Sequence, residues 1–262
     1  MIVIKIGGSI LEKIINENAL PKILQNIGED VIIVHGGGNY LNKYANNFGY
    51  EQKFVTSPGG IKSRYTDKNT LEIFTMVMSL INQKIVHSLK QAGIKAVALN
   101  GESFINARRK DKLVILNEKN RKMVIDGGYT GKINNVDAEP LNALLNKGYV
   151  PVVSPIAYSD ESYLNVDADR AAAYISGYMQ AKTLILMTNV NGLYMEDRIV
   201  NEADNEYIKN IINKVGHGMD KKLLAATEAI DMGVQRVIIS NPFNDIMNGT
   251  TIYKRAEVNK NY

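Results

Sequence analysis

The sequence contains no cysteine, which excludes disulfides, thiolate metal sites and cysteine nucleophiles. Its three histidines, His35, His87 and His217, lie far apart without the spacing of a ligand pair, which disfavours a structural zinc site. No apolar run approaches the roughly 18 residues that a membrane span needs, and residues 2–6 are too short for a signal-peptide core. These absences predict a cytoplasmic protein with no membrane partner.

The size and charge of the chain narrow the class of protein further. With 262 residues, 45% of them hydrophobic, the chain can bury a full core and fits one large α/β domain or two lobes that share a sheet. The formal net charge of +4 favours an anionic partner, though less strongly than the charge of a dedicated nucleic-acid binder would. ATP or an acidic protein would satisfy it, and we expect no nucleic acid.

Short apolar runs alternate with longer helical stretches. Continuous apolar runs, typical of strands buried on both faces, occupy residues 2–6, 31–35, 96–99, 150–154, 183–187 and 237–240. Helical periodicity runs through segments that open at aspartates suited to N-capping, namely residues 67–92, 137–145, 169–180 and 220–232. The alternation predicts an α/β fold, a three-layer αβα sandwich with a mainly parallel central sheet.

One segment departs from this alternation. Residues 113–116 and 123–125 are apolar and flank a polar stretch, a pattern that predicts a β-hairpin projecting from the main sheet. No repeat or clear linker is present. We therefore place a soft boundary between an N-terminal lobe, residues 1–176, and a C-terminal lobe, residues 177–262, which share one continuous sheet.

Glycine-rich turns follow the first two predicted strands. Residues 5–9 read Lys-Ile-Gly-Gly-Ser, and residues 34–38 read Val-His-Gly-Gly-Gly. Glycines let backbone amides approach a phosphate, and a lysine supplies positive charge. The first turn alone is more typical of a plain strand end with a solvated lysine. Two such turns, one of them opening a helix, indicate a phosphoryl-transfer site.

Other glycine motifs do not fit. Residues 127–132 lack the spacing of a P-loop, and Ile133 stands where that motif needs serine or threonine. The dinucleotide-binding fingerprint fails because Leu41 stands in place of its third glycine. Residues 35–38 resemble an esterase oxyanion loop, but no Gly-x-Ser-x-Gly elbow accompanies them. A P-loop enzyme, a nicotinamide enzyme and a serine hydrolase are therefore disfavoured.

Two later turns carry charged side chains at the start of helices. Residues 164–172 read Leu-Asn-Val-Asp-Ala-Asp-Arg-Ala-Ala, where Asp169 either caps the following helix or takes part in chemistry. Residues 216–222 read Gly-His-Gly-Met-Asp-Lys-Lys, where Lys222 is either a solvated lysine or a group that faces a phosphate. For His217 we expect no role.

In this order, the motifs resemble the amino acid kinase family, and most closely its N-acetylglutamate kinase branch with the lysine-biosynthesis relatives. The resemblance spans nearly the whole chain and includes residues 64–66 (Arg-Tyr-Thr), 188–193 (Thr-Asn-Val-Asn-Gly-Leu) and 248–250 (Asn-Gly-Thr). It implies the amino acid kinase fold, similar to that of carbamate kinase. Acceptor binding and dimerisation would belong to the N-terminal lobe, and ATP binding to the C-terminal lobe.

The resemblance also implies an activity and site residues. The protein would phosphorylate the side-chain carboxylate of an acidic amino acid with ATP and Mg²⁺, the metal being held mainly by the ATP phosphates. Lys5 and Lys222 would neutralise the transferring phosphoryl group, and Asp169 would hold both ammonium groups. Asn189 departs from the aspartate common at its position in the family. The remaining implied roles are acceptor binding by Gly37, Gly38, Arg64 and Asn165, and ATP or phosphate binding by Gly7, Gly8, Asn189, Gly192, Tyr194, Gly218 and Met219.

Residues 57–66 and 127–133 look like the lysine-biosynthesis branch. Its kinases act on aminoadipate, or in some archaea also glutamate, whose α-amino group is attached to the C-terminus of a small acidic carrier protein called LysW. N-acetylglutamate kinases more often carry Leu-Arg-Val-Thr where residues 63–66 read Ser-Arg-Tyr-Thr. Free N-acetylglutamate, in arginine biosynthesis, stays as the alternative acceptor. A regulatory protein that keeps the kinase fold without chemistry is a third interpretation, which the lysines and Asp169 disfavour.

The region of the predicted hairpin is rich in basic residues, which either steer an acidic carrier or form a solvated surface. This basic cluster consists of Arg108, Arg109, Lys110, Lys112, Lys119, Arg121 and Lys122, opposed only by Asp111 and Glu118. The chain begins at its first strand, without the additional N-terminal helix of hexameric relatives, so the resemblance implies a homodimer. We expect the helix at residues 67–92 to contribute to its interface.

Overall fold

The structure is a computed structural model that describes residues 1–216 and 218–255. His217 lies outside the described residues. Two short 3₁₀ turns, at Gly101–Ser103 and Ile212–Lys214, supplement the α-helices. The α-helices are α1 (Leu11–Asn16), α2 (Ala19–Ile27), α3 (Gly38–Asn47), α4 (Lys68–Gln91), α5 (Glu139–Asn146), α6 (Ala168–Tyr178), α7 (Asn205–Ile211) and α8 (Met219–Asp231).

A central sheet runs through the described part of the chain. In spatial order its strands are β16 (Glu202–Asp204), β18 (Gly249–Tyr253), β17 (Arg236–Ser240), β13 (Thr183–Met187), β1 (Ile2–Ile6), β2 (Val31–His35), β10 (Val150–Ser154) and β5 (Ala96–Asn100). The strands from β17 to β5 are mutually parallel, and β18 pairs antiparallel with β17. All six predicted strands lie in this parallel part, so the predicted mainly parallel sheet is confirmed.

Helices cover both faces of the sheet, which gives the three layers. Alternate residues of β1 point to opposite faces: Ile2, Ile4 and Ile6 pack with apolar residues of α1 to α4, whereas Val3 packs with α5, α6, α7 and α8. This period of two places Lys5 on the same face as Val3. The local consequence is that a lysine at the carboxyl end of a fully buried strand faces α6 and α8.

Within the described residues, three smaller sheets flank the central one. Their strands are β6 (Ile105–Arg109), β9 (Gly131–Val136), β11 (Ile156–Tyr158) and β12 (Tyr163–Asn165) in the second sheet, β3 (Phe54–Thr56), β4 (Lys62–Arg64), β7 (Lys112–Leu116) and β8 (Lys122–Asp126) in the third, and β14 (Leu193–Met195) with β15 (Arg198–Val200) in the last. The predicted hairpin is the antiparallel pair β7–β8, outside the main sheet. Its partner pair β3–β4 has short, mixed-polarity strands that sequence periodicity does not reveal.

The helix starts confirm one of the four expected aspartate caps and correct the other three. Asp67 is the N-cap of α4, and its side chain accepts a hydrogen bond from the Thr70 N–H, as predicted. In α6 the N-cap is Asp167, which accepts from the N–H groups of Asp169 and Arg170, so the expectation that Asp169 caps this helix is wrong. The side chain of Asp169 is thereby free to turn toward the sheet.

The N-caps of α5 and α8 are Ala138 and Gly218, so Asp137 and Asp220 do not occupy the cap positions either. The side chains of both aspartates still accept hydrogen bonds from nearby backbone N–H groups in these turns. Within residues 1–216 and 218–255, no helix is both long and apolar enough to cross a membrane. The proposed boundary between residues 176 and 177 falls inside α6, and the division into two lobes stays a prediction.

Candidate active site

Lys5 and Asp169 form a buried ion pair beneath the carboxyl edge of the parallel strands. Lys5 Nζ lies 2.7 Å from Asp169 Oδ1, and both side chains are less than a tenth exposed. The pair forms because β1 directs Lys5 toward α6, where Asp169 occupies the first turn. Two residues 164 positions apart are thus joined by strand and helix geometry.

Lys222 approaches the same carboxylate from α8. Its Nζ lies 3.6 Å from Asp169 Oδ2 and donates to the Gly218 carbonyl at 3.3 Å. Gly218 begins this helix with φ of 89°, a left-handed conformation that strongly favours glycine. The turn therefore positions Lys222 one helical turn inside α8, beside Asp169.

The three groups leave one positive charge in excess. Burial by itself would raise the pKa of Asp169, but the charges of Lys5 and Lys222 outweigh it and hold that pKa below its ordinary value. Burial lowers the pKa of Lys222, the charge of Lys5 lowers it further, and Asp169 opposes both. One carboxylate shared by two ammonium groups favours an additional anion at this point.

The two glycine turns contact each other beside this ion pair. A Cβ added to Gly8 would lie 3.0 Å from the Gly38 nitrogen, closer than ordinary packing allows, so the two backbones approach as only glycine permits. Gly37 and Gly38 begin α3, whose first N–H groups have no partner within the helix. Gly7 N–H donates to the Met187 carbonyl of β13. The backbone amides at this junction suit a phosphate.

Arg64 lies on β4 among neutral partners. Its guanidinium donates to the side-chain oxygens of Gln52 and Asn42, the latter at 2.7 Å, and lies 4.7 Å from the Phe54 ring centroid. Burial lowers the pKa of Arg64 to about 10, so it stays protonated at neutral pH. Because no described carboxylate pairs with it, Arg64 presents an uncompensated cation with the planar geometry that matches a carboxylate.

One cavity of about 770 Å³ gathers most of the predicted site residues. Those that line it are Lys5, Gly7, Gly8, Gly37, Gly38, Arg64, Asn165, Asp169, Gly218 and Lys222. Its apolar wall comes from the β3–β4 and β7–β8 hairpins, through Val55, Leu113 and Ile115 among others. The cavity thus has charged residues, Lys5, Asp169 and Lys222, on one side and the apolar hairpin residues on the other. This lining suits a ligand with an aliphatic chain and ionised ends.

Four predicted residues, Asn189, Gly192, Tyr194 and Met219, do not line this cavity, although the structure describes all four. Asn189 and Tyr194 are exposed near the carboxyl end of β13, and Gly192 is buried against Thr250. Met219 is half-buried and packs against the core at the start of α8. Asn189 and Gly192 follow β13 at the carboxyl edge of the sheet, as Gly7 follows β1, whereas Met219 follows the cavity residue Gly218.

Sequence reasoning missed a link between the helices that carry Asp169 and Lys222. Arg170 Nε donates to Glu228 Oε2 at 2.8 Å, and a second bond joins Arg170 Nη2 to Glu228 Oε1. This fork ties α6 to α8, and Arg170 also lines the cavity. The two residues are 58 positions apart. Arg170 stands in the motif at residues 164–172, but Glu228 stands in none, so no local signal identifies the pair.

His35 is the last residue of β2, directly before the second run of glycines, and it is fully buried. Its Nδ1 lies 3.0 Å from the Gly36 carbonyl oxygen and its Nε2 lies 3.1 Å from Asn82 Oδ1. Burial lowers the pKa of His35 to about 4, a shift that both oxygens oppose and the charge of Lys5 reinforces. His35 is therefore neutral at physiological pH and supports the loop by packing and hydrogen bonding.

This burial predicts a dependence of stability on pH. Between pH 6.5 and 4 the unfolded chain protonates His35 while the folded chain does not, so stability falls as pH falls through that window. We expect His35 to contribute a loss of about 3 kcal/mol in the free energy of unfolding across it. Urea unfolding of the wild type and of His35→Gln at several pH values measures this. The free energy of unfolding should depend less steeply on pH in His35→Gln than in the wild type. An equal pH dependence in the two proteins would contradict the assignment.

Comparison with known proteins identifies the family. Residues 1–241 match the amino acid kinase family. The chain belongs to this family. As an amino acid kinase it is a phosphotransferase that uses ATP as its phosphoryl donor.

Curated relatives of this amino acid kinase are similar over most of their length. A protein of Nitrosopumilus maritimus is 52% identical over 247 residues, 92% of each chain. The LysW-aminoadipate/LysW-glutamate kinase of Sulfurisphaera tokodaii is 44% identical over 92% of this chain and 93% of its own. The protein of the same name from Saccharolobus solfataricus is 41% identical over 96% and 99%.

Solved structures of low sequence identity share the fold of this amino acid kinase. The smu.665 protein of Streptococcus mutans superposes with a TM-score of 0.80 at 24% identity over 97% of this chain and 98% of its own. Giardia carbamate kinase superposes with a TM-score of 0.72 at 13% identity over 97% and 98%. The predicted amino acid kinase and carbamate kinase fold is therefore confirmed.

The donor set of the cavity bears on how Mg²⁺ would enter. Asp169 is occupied by two lysines and Asp167 by helix N–H groups, and the described residues contain no cluster of three or more side chains arranged to hold a metal. These carboxylates do not fit a resident Mg²⁺ site. The metal would therefore arrive as part of MgATP, coordinated mainly by the phosphates.

Proposed function

We propose that this amino acid kinase phosphorylates the side-chain carboxylate of aminoadipate or glutamate whose α-amino group is joined to a small acidic carrier protein of the LysW type. The observation that carries the phosphoryl-transfer part is Lys5 and Lys222 converging on Asp169 beside the two glycine turns. The names of the relatives from Sulfurisphaera tokodaii and Saccharolobus solfataricus support the acceptor. The pathway would be lysine biosynthesis, and arginine biosynthesis where glutamate is the acceptor.

In the proposed reaction a side-chain carboxylate oxygen attacks the γ-phosphorus of ATP. A carboxylate-oxygen-to-phosphorus bond forms, the bond between the γ-phosphorus and its bridging oxygen breaks, and ADP leaves with the electron pair. No general base is required, because the acceptor carboxylate is ionised at neutral pH. The products are an acyl phosphate and ADP.

Catalysis then depends on positioning and positive charge rather than on proton transfer. Lys5 and Lys222 would stabilise charge that develops on the transferring group, while Asp169 fixes both ammonium groups. Backbone amides of Gly8, Gly37 and Gly38 would contact phosphates. Gly7 and Gly218, whose N–H groups donate to the Met187 carbonyl and to Asp220 Oδ1, would shape the turns at the phosphate site. Asn189, Gly192, Tyr194 and Met219 would surround the remainder of the nucleotide.

The acceptor would lie beneath the hairpins. Arg64 would bind its α-carboxylate through two parallel hydrogen bonds, and Asn165 would contact its main-chain end. Asn165 already donates to the Thr66 hydroxyl at 2.9 Å, which fixes its amide orientation. The aliphatic chain of the acceptor would pack on Val55, Leu113 and Ile115.

Trapping of the acyl phosphate with hydroxylamine tests the function. Wild-type protein with MgATP would be assayed against carrier-linked aminoadipate, carrier-linked glutamate and free N-acetylglutamate. Hydroxamate formed with far higher kcat/KM on the carrier-linked acceptors than on free N-acetylglutamate supports the proposal. Efficient turnover of free N-acetylglutamate would instead assign the protein to arginine biosynthesis as an acetylglutamate kinase, and no turnover with any acceptor would support a non-catalytic protein.

The exposed part of the basic cluster is proposed to dock the carrier. Reversing Lys119, Arg121 and Lys122 to glutamate should raise KM for the carrier-linked acceptor about tenfold at low ionic strength, and added salt should reduce that difference. Turnover of a free N-acyl glutamate should stay unchanged. A matched triple reversal on other exposed surfaces, Lys22, Lys95 and Lys147 to glutamate, controls for net charge. Equal KM values for both triple variants would exclude docking through the hairpin.

The proposal also includes a cytoplasmic homodimer with α4 in its interface. Met76 on this helix is 55% exposed, an apolar side chain available for a second copy. Light scattering on the purified protein measures its mass in solution, and the mass of a monomer would exclude the dimer.

A further inference from the structure

Lys110 is a cavity residue that the phosphoryl-transfer mechanism does not use. It follows β6 directly, and its N–H donates to the Thr130 carbonyl at 2.9 Å. Its side chain is half-buried and lines the same cavity as Lys5 and Asp169. Among residues 1–216 and 218–255 no carboxylate forms an ion pair with it. A lysine so placed faces the ligand space with its charge unbalanced.

Other cations reinforce that imbalance. Burial lowers the pKa of Lys110, and the charges of Arg170, Lys132 and Lys221 lower it further, with Asp167 opposing them. The carboxylate of Asp167 is already engaged with the first N–H groups of α6. Lys221 also lines the cavity. This wall therefore favours an anionic group, separately from the site at Asp169.

The neighbours of Lys110 indicate which end of the acceptor lies there. Thr130, which binds the Lys110 backbone, forms a β-bridge with Asn165. Asn165 is the residue proposed to contact the main-chain end of the acceptor. Arg64 lies elsewhere, on β4 against Asn42 of α3, and its proposed ligand is the α-carboxylate. The remaining substituent at the main-chain end is the acyl group on the α-amino nitrogen.

We propose that Lys110 is a specificity-determining residue that binds a carboxylate carried by the acyl group on the α-amino nitrogen of the acceptor. The proposal rests on the proposed function and deepens it. An acyl group from a polypeptide that ends in aspartate or glutamate offers such a carboxylate close to the amide, whereas an acetyl group offers none. Lys110 would thus help this kinase to favour carrier-linked acceptors over free N-acetylglutamate.

Two small acceptors isolate this interaction. N-succinyl-L-glutamate and N-butyryl-L-glutamate have acyl chains of equal length and differ at the end by a carboxylate in place of a methyl group. The wild type should use the succinyl compound with kcat/KM about tenfold higher. Lys110→Met should remove this preference, and Lys110→Arg should retain it. Lys147→Met, which removes the same charge from an exposed surface position, should behave as the wild type.

Calorimetric titration, circular dichroism and the KM for ATP distinguish the possible outcomes. Calorimetric titration of the two compounds into wild type and Lys110→Met gives the comparison without turnover, and circular dichroism establishes that the variant folds. A wild type that turns over both compounds equally, or a Lys110→Met variant that keeps the preference, overturns the role of Lys110 alone. A raised KM for ATP in Lys110→Met places the residue at the nucleotide and also overturns it. Failure of every acceptor, including the carrier-linked ones, overturns the proposed function and this inference together.

Discussion

Replacing Lys222 by alanine should lower kcat by about 10²- to 10³-fold, the range found when one group that stabilises transition-state charge is removed. KM for ATP and for the acceptor should change little, because Lys5 and the glycine amides still bind the ground state. The fold should survive, since Asp169 keeps its closer partner: Lys5 Nζ lies at 2.7 Å, against 3.6 Å for Lys222 Nζ.

Steady-state kinetics of hydroxamate formation, with urea unfolding in parallel, measures both effects. Lys147→Ala removes the same charge from an exposed position and should match the wild type. Lys222→Arg tests geometry, because it keeps the charge but not the compact ammonium group. A Lys222→Ala variant with wild-type kcat would remove this residue from the mechanism.

Strand positions could be predicted closely from the sequence because buried parallel strands are continuous apolar runs. The run at residues 237–240 forms β17 with one extra residue, Arg236, whose polarity hid it from the pattern. Helix α4 was equally clear, since its periodicity extends over 24 residues and Asp67 caps it. These elements could be predicted from the sequence because they are long or fully buried.

Elements that depend on distant pairing were not predictable. Strand β6 is built from Ile-Asn-Ala-Arg-Arg and pairs with both β9 and β11, so its conformation is decided by tertiary contacts rather than by its own pattern. The β3–β4 hairpin, whose strands have three residues each, is hidden for the same reason. The cover of the cavity therefore became visible only in the structure.

The candidate site likewise contains residues that could be predicted from the sequence and one, Lys110, that could not. Lys5, Asp169 and Lys222 were identified together through a family resemblance, and the alternation of β1 and the N-cap at Asp167 explain physically why they meet. Lys110 stood in the sequence as one member of a basic cluster. Its cavity position depends on the β6–β9 pairing, so nothing local separated it from its exposed neighbours.

Asp169→Ala should affect both stability and activity, in contrast to Lys222→Ala. The change leaves Lys5, whose side chain is 5% exposed, without its counter-ion, and loss of one partner from a buried pair costs about 3 to 5 kcal/mol. Activity should fall at least as far as in Lys222→Ala, because both ammonium groups lose their common anchor. Urea unfolding at neutral pH and hydroxamate kinetics at saturating substrate measure the two losses.

A double variant separates these losses. Lys5→Met with Asp169→Ala replaces the buried pair by apolar groups, and such replacements are often neutral or stabilising. We therefore expect the free energy of unfolding to return close to that of the wild type while activity stays lost. Recovery of activity in the double variant would mean that the pair serves stability alone. Wild-type stability in Asp169→Ala would mean instead that Lys5 finds another partner or reaches solvent when the carboxylate is removed.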